Sequence, residues 1–570
     1  MSFIRVLFSF FGTCMVLMGC SQKGFQQKTY TSALFTAPTV HSLPQADVYF
    51  EYLSAQTQLR ENQLEKAAES YQRAIKKDPY SPMLLTELAA VHIRQSKVDS
   101  ALKLCEEAVA LDPAYLPAHM LLGQLYAATG QMGKAIESYR KVIAMRPEGE
   151  DAYLLLGALY AQQGRFSEAM ETFEKLKRLL PDNPMVPYYK ARIFLDMKFY
   201  HQAESMYREV LAVDPLFENA LLDLAYIYEV TNRMRDAEKV YLRILSFNPG
   251  SVQAHTRLGN LYMREGKADN ALTQFGELVA INQKDPESRL KIGIIHLQQK
   301  KYDAAIQDFT QLLKDDPQFD QALFYLGTTH EEKGTLEQAV STYRQISRNS
   351  PLWITAQIRL AMAYVKLKDT RSAIEVIQGA ITNLPDAPEL YLYLGVILEE
   401  EKRYPEATAA VEKGLEKAPA DPDLLFRKGV LLDKMNRKDE AIDIMEKVLE
   451  ISPKNANALN YIGYTYAEMG TQLQKARQLI KRALELEPED GYIMDSLAWV
   501  YFKMGQPRKA LEIIQEAIRM VPQDPVIQEH LGDIYMSLGK REKALEAYQR
   551  ALDLQHPEPE KIREKLKPTP

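Results

Sequence analysis

Side chains able to do chemistry are sparse in this chain of 570 residues and form no complete catalytic motif. His330-Glu331-Glu332 begins like the H-E-x-x-H helix of a zinc protease, but the second histidine is absent. The sequence contains no G-x-x-x-x-G-K-[ST] phosphate loop, no G-x-G-x-x-G turn and no C-x-x-C pair. We therefore expect a protein that is not an enzyme, with no catalytic residue, cofactor or metal.

Two histidines leave one alternative open. His296 and His330 are 34 residues apart, and in a repetitive fold they could face each other with Glu331 nearby as a metal site. We interpret them instead as partly buried packing residues, because both, like His92, stand at a recurring position that tyrosine usually occupies. The 9 histidines of the chain are too scattered to predict a dense metal cluster.

Composition excludes further classes. Lys+Arg 70 against Asp+Glu 76 gives a net charge of −6, without the basic excess of a nucleic-acid binder. A hydrophobic fraction of 46% argues against intrinsic disorder. The length exceeds what one hydrophobic core supports, so the chain contains several domains or a repeat array.

The N-terminal residues have the pattern of a secretory signal. Arg5 precedes an apolar run that ends in Leu17-Met18-Gly19-Cys20, and this run is short for a membrane span. The tetrapeptide resembles the bacterial lipobox, which implies cleavage after residue 19 and acylation of Cys20. By the same resemblance, Ser21 favours the outer membrane, with the protein facing the periplasm. A short uncleaved anchor with an incidental cysteine is the alternative.

The other cysteines add no chemistry. Cys14 would be removed with the signal, and Cys105 is expected to be a small buried hydrophobe. One mature chain could then form no internal disulfide.

Prolines recur with a period of 34 residues through most of the chain. They stand at Pro79, Pro113, Pro147, Pro181, Pro215, Pro249, Pro317, Pro351, Pro385, Pro419 and Pro453 and, after one inserted residue, at Pro488 and Pro522. The series skips Gln283. Fifteen alanines, from Ala67 to Ala544, follow the same period. A Gly or Ala stands twelve residues before each of them, or thirteen in the segment with the inserted residue. A fixed period of this length predicts a repeat array.

Each repeat contains two stretches with helical hydrophobic periodicity, separated by a turn with Gly or Asn such as Thr129-Gly130-Gln131. The two small residues are expected where the helix axes approach most closely, because a larger side chain would separate them. The proline ends the second helix, since it lacks an amide donor and restricts the residue before it.

The pattern resembles the tetratricopeptide repeat, a 34-residue helix-turn-helix unit. Residues 118–147 match it well, with Leu122-Gly123, Tyr126, Ala135, Tyr139 and Pro147. The resemblance implies an all-α fold, a right-handed α-solenoid superhelix of about fifteen tandem units over residues 48–558. Residues 1–19 are then the lipoprotein signal peptide, 20–47 the lipidated N-terminus and flexible tether, and 559–570 a short tail or cap, with no segment left for a catalytic domain.

In this family the groove is lined by positions 2, 5, 9, 12 and 13 of the first helix of each unit. These positions carry a net charge of +1 in units one to seven and −9 in units eight to fifteen. Large apolar residues lie between the acids of the second set. The expected partner groove contains Phe324, Glu331, Glu332, Ile358, Leu392, Glu399, Glu400, Phe426, Asp433, Asn460, Tyr464, Glu468, Asp495, Trp499 and Phe502.

This groove predicts a protein or peptide partner with basic and apolar side chains, because apolar anchors give affinity and the acids steer the partner. A solvated acidic surface with ion pairs between units is the alternative. Units thirteen and fourteen, with an insertion near residues 471–474, are either a dedicated binding site or a tolerated loop insertion.

Two functions remain. The first is a membrane-anchored scaffold lipoprotein of the bacterial cell envelope, held by its acyl chains and serving polysaccharide export, pilus or secretion assembly, or cell-wall machinery. The second is a soluble cytoplasmic scaffold or co-chaperone whose N-terminal hydrophobic segment is incidental.

Overall fold

The structure, a computed structural model, describes residues 46–283 and 285–567, and these residues form 31 α-helices and no strand. The expected all-α array of helix-turn-helix units is therefore confirmed. Among the described helices, none is long and apolar enough to cross a bilayer. Cys20, the signal peptide and nearly all of the tether lie outside the described residues, and the boundaries at residues 19, 47 and 558 remain predictions.

Contacts divide the chain after residue 281 into two compact parts, which we call the first array and the second array. The helices of the first array are α1 (Ala46–Arg60), α2 (Leu64–Lys77), α3 (Pro82–Arg94), α4 (Val98–Leu111), α5 (Leu116–Ala128), α6 (Met132–Met145), α7 (Glu150–Gln162), α8 (Phe166–Leu179), α9 (Met185–Asp196), α10 (Tyr200–Val213), α11 (Glu218–Val230), α12 (Met234–Phe247), α13 (Val252–Arg264) and α14 (Ala268–Ile281). Each odd-numbered helix and the helix after it form one repeat unit.

The second array continues the alternation through eight more units and ends in one additional helix. Its helices are α15 (Pro286–Gln298), α16 (Tyr302–Asp315), α17 (Asp320–Lys333), α18 (Leu336–Tyr343), α19 (Trp353–Lys366), α20 (Thr370–Asn383), α21 (Pro388–Glu400), α22 (Tyr404–Lys417), α23 (Pro422–Lys434), α24 (Lys438–Ile451), α25 (Ala456–Met469), α26 (Leu473–Leu486), α27 (Gly491–Lys503), α28 (Pro507–Met520), α29 (Pro525–Ser537), α30 (Arg541–Asp553) and α31 (Pro559–Leu566).

In every unit the turn from the first to the second helix has a residue in the left-handed conformation at position 15. Glycine or asparagine occupies this position in ten units, as the sequence indicates. In the other five units the expected Gly or Asn is absent, and the left-handed residues are Ser96, Lys198, Lys300, Lys368 and Lys402. A side chain in this conformation costs about 1–2 kcal/mol, so tertiary packing and not local preference fixes these turns.

The predicted close contact between the two helices of a unit is present. All fifteen periodic alanines are completely buried. Gly327 on α17 faces the ring of Tyr343 on α18 so closely that a Cβ atom there would lie 2.5 Å from the ring. Small residues at these two positions therefore set the distance between the helix axes.

Local departures leave this packing intact. In unit five, Lys190 stands at the usual leucine position, is 5% exposed and forms an ion pair with Glu174 of the preceding unit. In unit nine, α18 is only 8 residues long and ends at Tyr343. The insertion in unit thirteen lies in the turn between helices, where both Gly470 and Gln472 are left-handed.

We predict that Gly327→Ala destabilises the chain by about 1–3 kcal/mol, because the new methyl group overlaps the ring of Tyr343. Gly379→Ala is the matched control, since Gly379 lies in α20 with nothing within 4 Å of its missing Cβ atom. The control is expected to gain about 0.5–1 kcal/mol from helix propensity. Urea unfolding followed by circular dichroism measures both, and equal midpoints for the two variants would contradict the packing described here.

Candidate partner-binding groove

The first helices of units nine to fourteen carry all the predicted groove residues. At position 5 of these helices, Phe324, Ile358, Leu392, Phe426 and Asn460 are half-buried, and Asp495 is buried. The four apolar side chains pack partly against the core and leave part of their surface accessible. The Oδ1 atom of Asn460 is buried without a hydrogen-bond partner among the described residues.

Two of the predicted groove acids connect neighbouring units. The carboxylate of Glu331 is 6% exposed and lies 2.7 Å from Lys366 Nζ and 3.4 Å from Arg359 Nη1, both in the next unit. Glu399 lies 2.7 Å from Arg427 Nη1 of its next unit. Both glutamates occupy position 12, so the ion pairs follow one register.

Tyrosine hydroxyls add to this network from the second helices. Tyr343 donates to Glu331 at 3.2 Å, and Tyr241 donates to Glu229 at 2.5 Å, again at position 12. Burial raises the pKa of both tyrosines, and the neighbouring carboxylates contribute to the shift. The position-12 acids are thus largely occupied within the protein.

Other acids remain available to a partner. Glu332 and Glu400, at position 13 of units nine and eleven, are exposed and form no ion pair within the described part of the chain. Asp433 is half-buried near Tyr461, whose pKa is raised by burial and then by this carboxylate. Along units nine to twelve, half-buried apolar groups at position 5 are thus accompanied at position 13 by exposed Glu332 and Glu400 in units nine and eleven and by exposed Lys366 and Lys434 in units ten and twelve.

Units thirteen to fifteen contain a buried polar cluster. Asp495 of α27 lies 3.0 Å from Nδ1 of His530, and the His530 ring stacks on Trp499 with 4.0 Å between ring centroids. Trp499 Nε1 donates to Glu468 at 2.5 Å. Burial opposes a charge on His530, but Asp495 and the neighbouring acids outweigh burial, so its pKa is raised.

This cluster changes the expected roles of the residues in units thirteen and fourteen. Asp495 and Trp499 are buried, and their polar atoms are bonded within the array. Tyr464 and Phe502 are half-buried, and Phe502 stacks on Trp499 at 5.0 Å. Burial and surrounding carboxylates, beginning with Glu468, raise the pKa of Tyr464.

The last unit pairs its acids with the additional helix. Glu529 lies 2.7 Å from Lys565 Nζ and 3.1 Å from Lys561 Nζ, both on α31. Asp533 lies 2.6 Å from Lys565 and accepts a 2.6 Å hydrogen bond from Tyr548. Both acids stand at groove positions, 5 and 9, of unit fifteen, but the sequence analysis missed these lysines because it treated residues 559–570 as a tail, although Pro559 stands 34 residues after Pro525, the first residue of α29. The four-residue spacing of the two lysines is the signal that could have indicated them.

His296, His330 and Cys105 have structural roles. His296 Nδ1 lies 2.7 Å from Asp308, and His330 Nδ1 lies 2.9 Å from Thr335 Oγ1. Within the described residues, no three His, Cys, Asp or Glu side chains are arranged to hold a metal ion. Cys105 is completely buried, and burial raises the pKa of its thiol to about 12, so it is a core residue, as expected.

We predict that Glu529 stabilises the chain in a pH-dependent way. Burial opposes its charge, but Lys565 and Lys561 outweigh burial and lower its pKa from 4.5 to about 2. Because the folded-state pKa is depressed, the stabilisation is complete above about pH 4.5 and is lost as the pH falls through about 2. Its size is roughly 2–3 kcal/mol.

Thermal unfolding of the parent chain and Glu529→Gln between pH 6 and pH 2 measures this effect. The parent is expected to be more stable at pH 6, and the difference should close toward pH 2. Glu558→Gln serves as the control, because Glu558 is exposed and its ion pair with Lys561 is long, at 3.6 Å. A stability difference between the parent and Glu529→Gln that is constant across this range would contradict the prediction.

Known protein families and one known protein contain sequences similar to this chain. One tetratricopeptide repeat family model matches residues 52–115, 118–184, 188–252, 256–318 and 290–352, and a second matches residues 390–557. A TPR repeat-containing protein from Pseudomonas aeruginosa is 44% identical over 52 residues, which is 9% of this chain and 9% of that protein. The chain thus spans less than a tenth of this curated relative.

Two solved structures match the chain at low sequence identity. A chain of the APC/C hetero-tetramer Cut9–Hcn1 is 15% identical, with 80% of this chain and 98% of that chain covered at a TM-score of 0.35. A tetratricopeptide repeat protein from Parabacteroides merdae is 17% identical, with 43% and 96% covered at a TM-score of 0.37. Because the family models match more than half of its residues, the chain belongs to the tetratricopeptide repeat family, whose helical arrays serve as scaffolds that bind protein partners.

Proposed function

We propose that the chain is a non-enzymatic, lipid-anchored scaffold of the bacterial cell envelope, and that its second array binds a partner with basic and apolar side chains. Lipidation of Cys20 would attach it to the outer membrane with the repeats in the periplasm. The machine it serves would be one for polysaccharide export, pilus or secretion assembly, or cell-wall control.

One observation carries the binding part of this proposal. Exposed, unpaired Glu332 and Glu400 lie on the same first-helix face as half-buried Phe324, Ile358 and Leu392. Apolar side chains that a partner can cover supply affinity, whereas exposed charges mainly change the association rate and the choice of partner. A partner with matching cations and apolar groups satisfies both requirements.

The ion-paired acids Glu331 and Glu399 belong to a different class. Glu331 is ion-paired with two cations of the next unit and Glu399 with one, so reversing either charge would disturb the contact between units as well as the groove. A test of steering must therefore leave these two residues intact.

We predict that Glu332→Lys combined with Glu400→Lys lowers partner capture by roughly threefold to tenfold at low salt, and that the difference shrinks at high salt. Capture is measured by photo-crosslinking from a reactive residue placed at Phe426 in extracts of the bacterial envelope. Glu337→Lys combined with Glu416→Lys is the matched control, because both are exposed on second helices and have the same change in charge. Equal capture by all three chains would contradict the proposed steering.

We also predict that Cys20→Ala releases the chain from membranes, because the acyl chains implied by the lipobox resemblance supply the anchor. Cell fractionation measures this, with Cys14→Ala as the control in the same apolar run. A Cys20→Ala chain that stays with the membrane would contradict lipid anchoring. A parent chain found only in the soluble fraction would favour the cytoplasmic scaffold instead.

A further inference from the structure

Helix α1 exposes large apolar side chains at the start of the first array. Phe50, at position 3 of unit one, is 70% exposed, and Tyr49 and Leu53 on the same side of the helix are exposed as well. In all fourteen later units the residue at position 3 is buried. Ala118 on α5, for example, belongs to one apolar cluster with Ala108 of the preceding helix α4. No helix precedes α1 in the described residues, so its corresponding side is open.

An open side of a helix does not require apolar residues. On α31, the last helix of the chain, the exposed residues after Pro559 are charged, namely Glu560, Lys561, Arg563 and Glu564. Large apolar residues grouped on one exposed surface usually mark a contact with a membrane or another molecule. The side chains of α1 therefore call for a surface that covers them.

The end of α2 adds an aromatic residue and cations to this place. Lys77 Nζ lies 3.9 Å from carboxylate oxygens of Asp47 and Glu51, so the last turn of α2 lies beside the first turns of α1. Tyr80 follows in the next turn and is 78% exposed. Lys76 is exposed and forms no ion pair within the described part of the chain. Aromatic rings and lysines thus meet where α1 begins.

This combination fits the boundary between water and lipid. Tyrosine rings are enriched at membrane interfaces, because one part of the ring is apolar and the hydroxyl remains hydrated. Lysine side chains lay their methylene groups along an apolar surface and keep their charge among the headgroups, where anionic lipids attract it.

The position of α1 in the chain brings it close to a bilayer. Ala46, its first residue, follows Cys20 by 26 residues, which span at most about 90 Å when fully extended. A chain acylated at Cys20 therefore always has lipid within reach of α1. A second copy of the chain is a poorer occupant, because stable protein interfaces use about 20–30 residues on each side and this surface offers four large apolar ones.

We propose that Tyr49, Phe50, Leu53 and Tyr80 form a membrane-contact face, with which unit one lies against the bilayer that holds the anchor. This inference rests on the proposed lipid anchor and adds a direct contact between the protein and the membrane. The face orients unit one and does not replace the anchor, because a few interfacial side chains bind reversibly. A chain with Cys20→Ala is therefore still expected to leave the membrane.

The test uses residues 20–570, which contain every described residue, and supplies the anchor chemically. Cys20 is coupled to a maleimide lipid in vesicles of phosphatidylethanolamine and phosphatidylglycerol. Cys105 does not react in its place, because it is completely buried and burial raises the pKa of its thiol. Leu53→Trp is the reporter, and the same chain without this substitution gives the emission of Trp353 and Trp499.

We expect coupling to shift the emission of the reporter to shorter wavelength, and lipids brominated near the headgroup to quench it. Phe50→Ser combined with Tyr80→Ser should abolish both effects. Val213→Ser combined with Leu216→Ser is the matched control and should leave them unchanged, because both are exposed apolar residues of unit five. A reporter at a similarly exposed position of unit seven, Val252→Trp, should not be quenched.

Three results would overturn the proposal. A reporter that is neither shifted nor quenched after coupling would mean that the membrane-contact face stays in water. A shift already present without vesicles would mean that residues 21–45 cover the face. A shift that appears only at high protein density, without quenching, would mean that a second copy covers it.

The vesicle experiment does not depend on acylation in the cell. Quenching of the reporter, together with a parent chain found only in the soluble fraction of cells, would remove the lipid anchor and keep the membrane affinity of the face. A parent chain that is membrane-bound in cells, without quenching in vesicles, would remove only the membrane-contact face.

Discussion

The close approach of the two helices within each unit is the constraint on which the rest of the structure depends. It is possible only because a Gly or Ala on the first helix meets a larger side chain of the second, as Gly327 meets Tyr343. The same contact places the tyrosine hydroxyl beside carboxylates of the first helix, as between Tyr343 and Glu331. Packing within a unit and ion pairing between units are therefore parts of one arrangement.

This arrangement separates the acids of the second array into two groups. Glu331, Glu399 and Glu529 are enclosed by cations of the following segment and hold the array together. Glu332 and Glu400 have no such partner in the described residues and remain accessible. The repeat register correctly gives the positions of the acidic residues, but only some of their carboxylates lack an ion-pair partner and can contact another protein.

Most of the fold could be predicted because the repeat imposes it fifteen times. Period, small residues and prolines determine the helix pairs, and all fifteen periodic alanines are buried. The turns were less predictable, since Ser96 or Lys198 adopts a conformation that its own residue type disfavours. The shortening of α18 has no signal in the repeat pattern that we can identify.

The sequence could predict which positions line the candidate groove, but not which of their side chains are buried or already paired within the protein. Register places Asp495 and Trp499 among the lining residues, and only the structure shows that His530 and Glu468 occupy their polar atoms. Whether a carboxylate is paired depends on a residue about 30 positions away, as for Glu399 and Arg427, and a one-unit pattern does not contain this information.

Most ion pairs between neighbouring units have a common direction. The acid belongs to the earlier unit and the cation to the later one, as for Glu229 and Arg264, Glu399 and Arg427, and Glu412 and Lys428. The two ends of such an array differ chemically, because the acids of the last unit have no complete following unit to supply cations. Helix α31 supplies these cations instead and so ends the series of ion pairs.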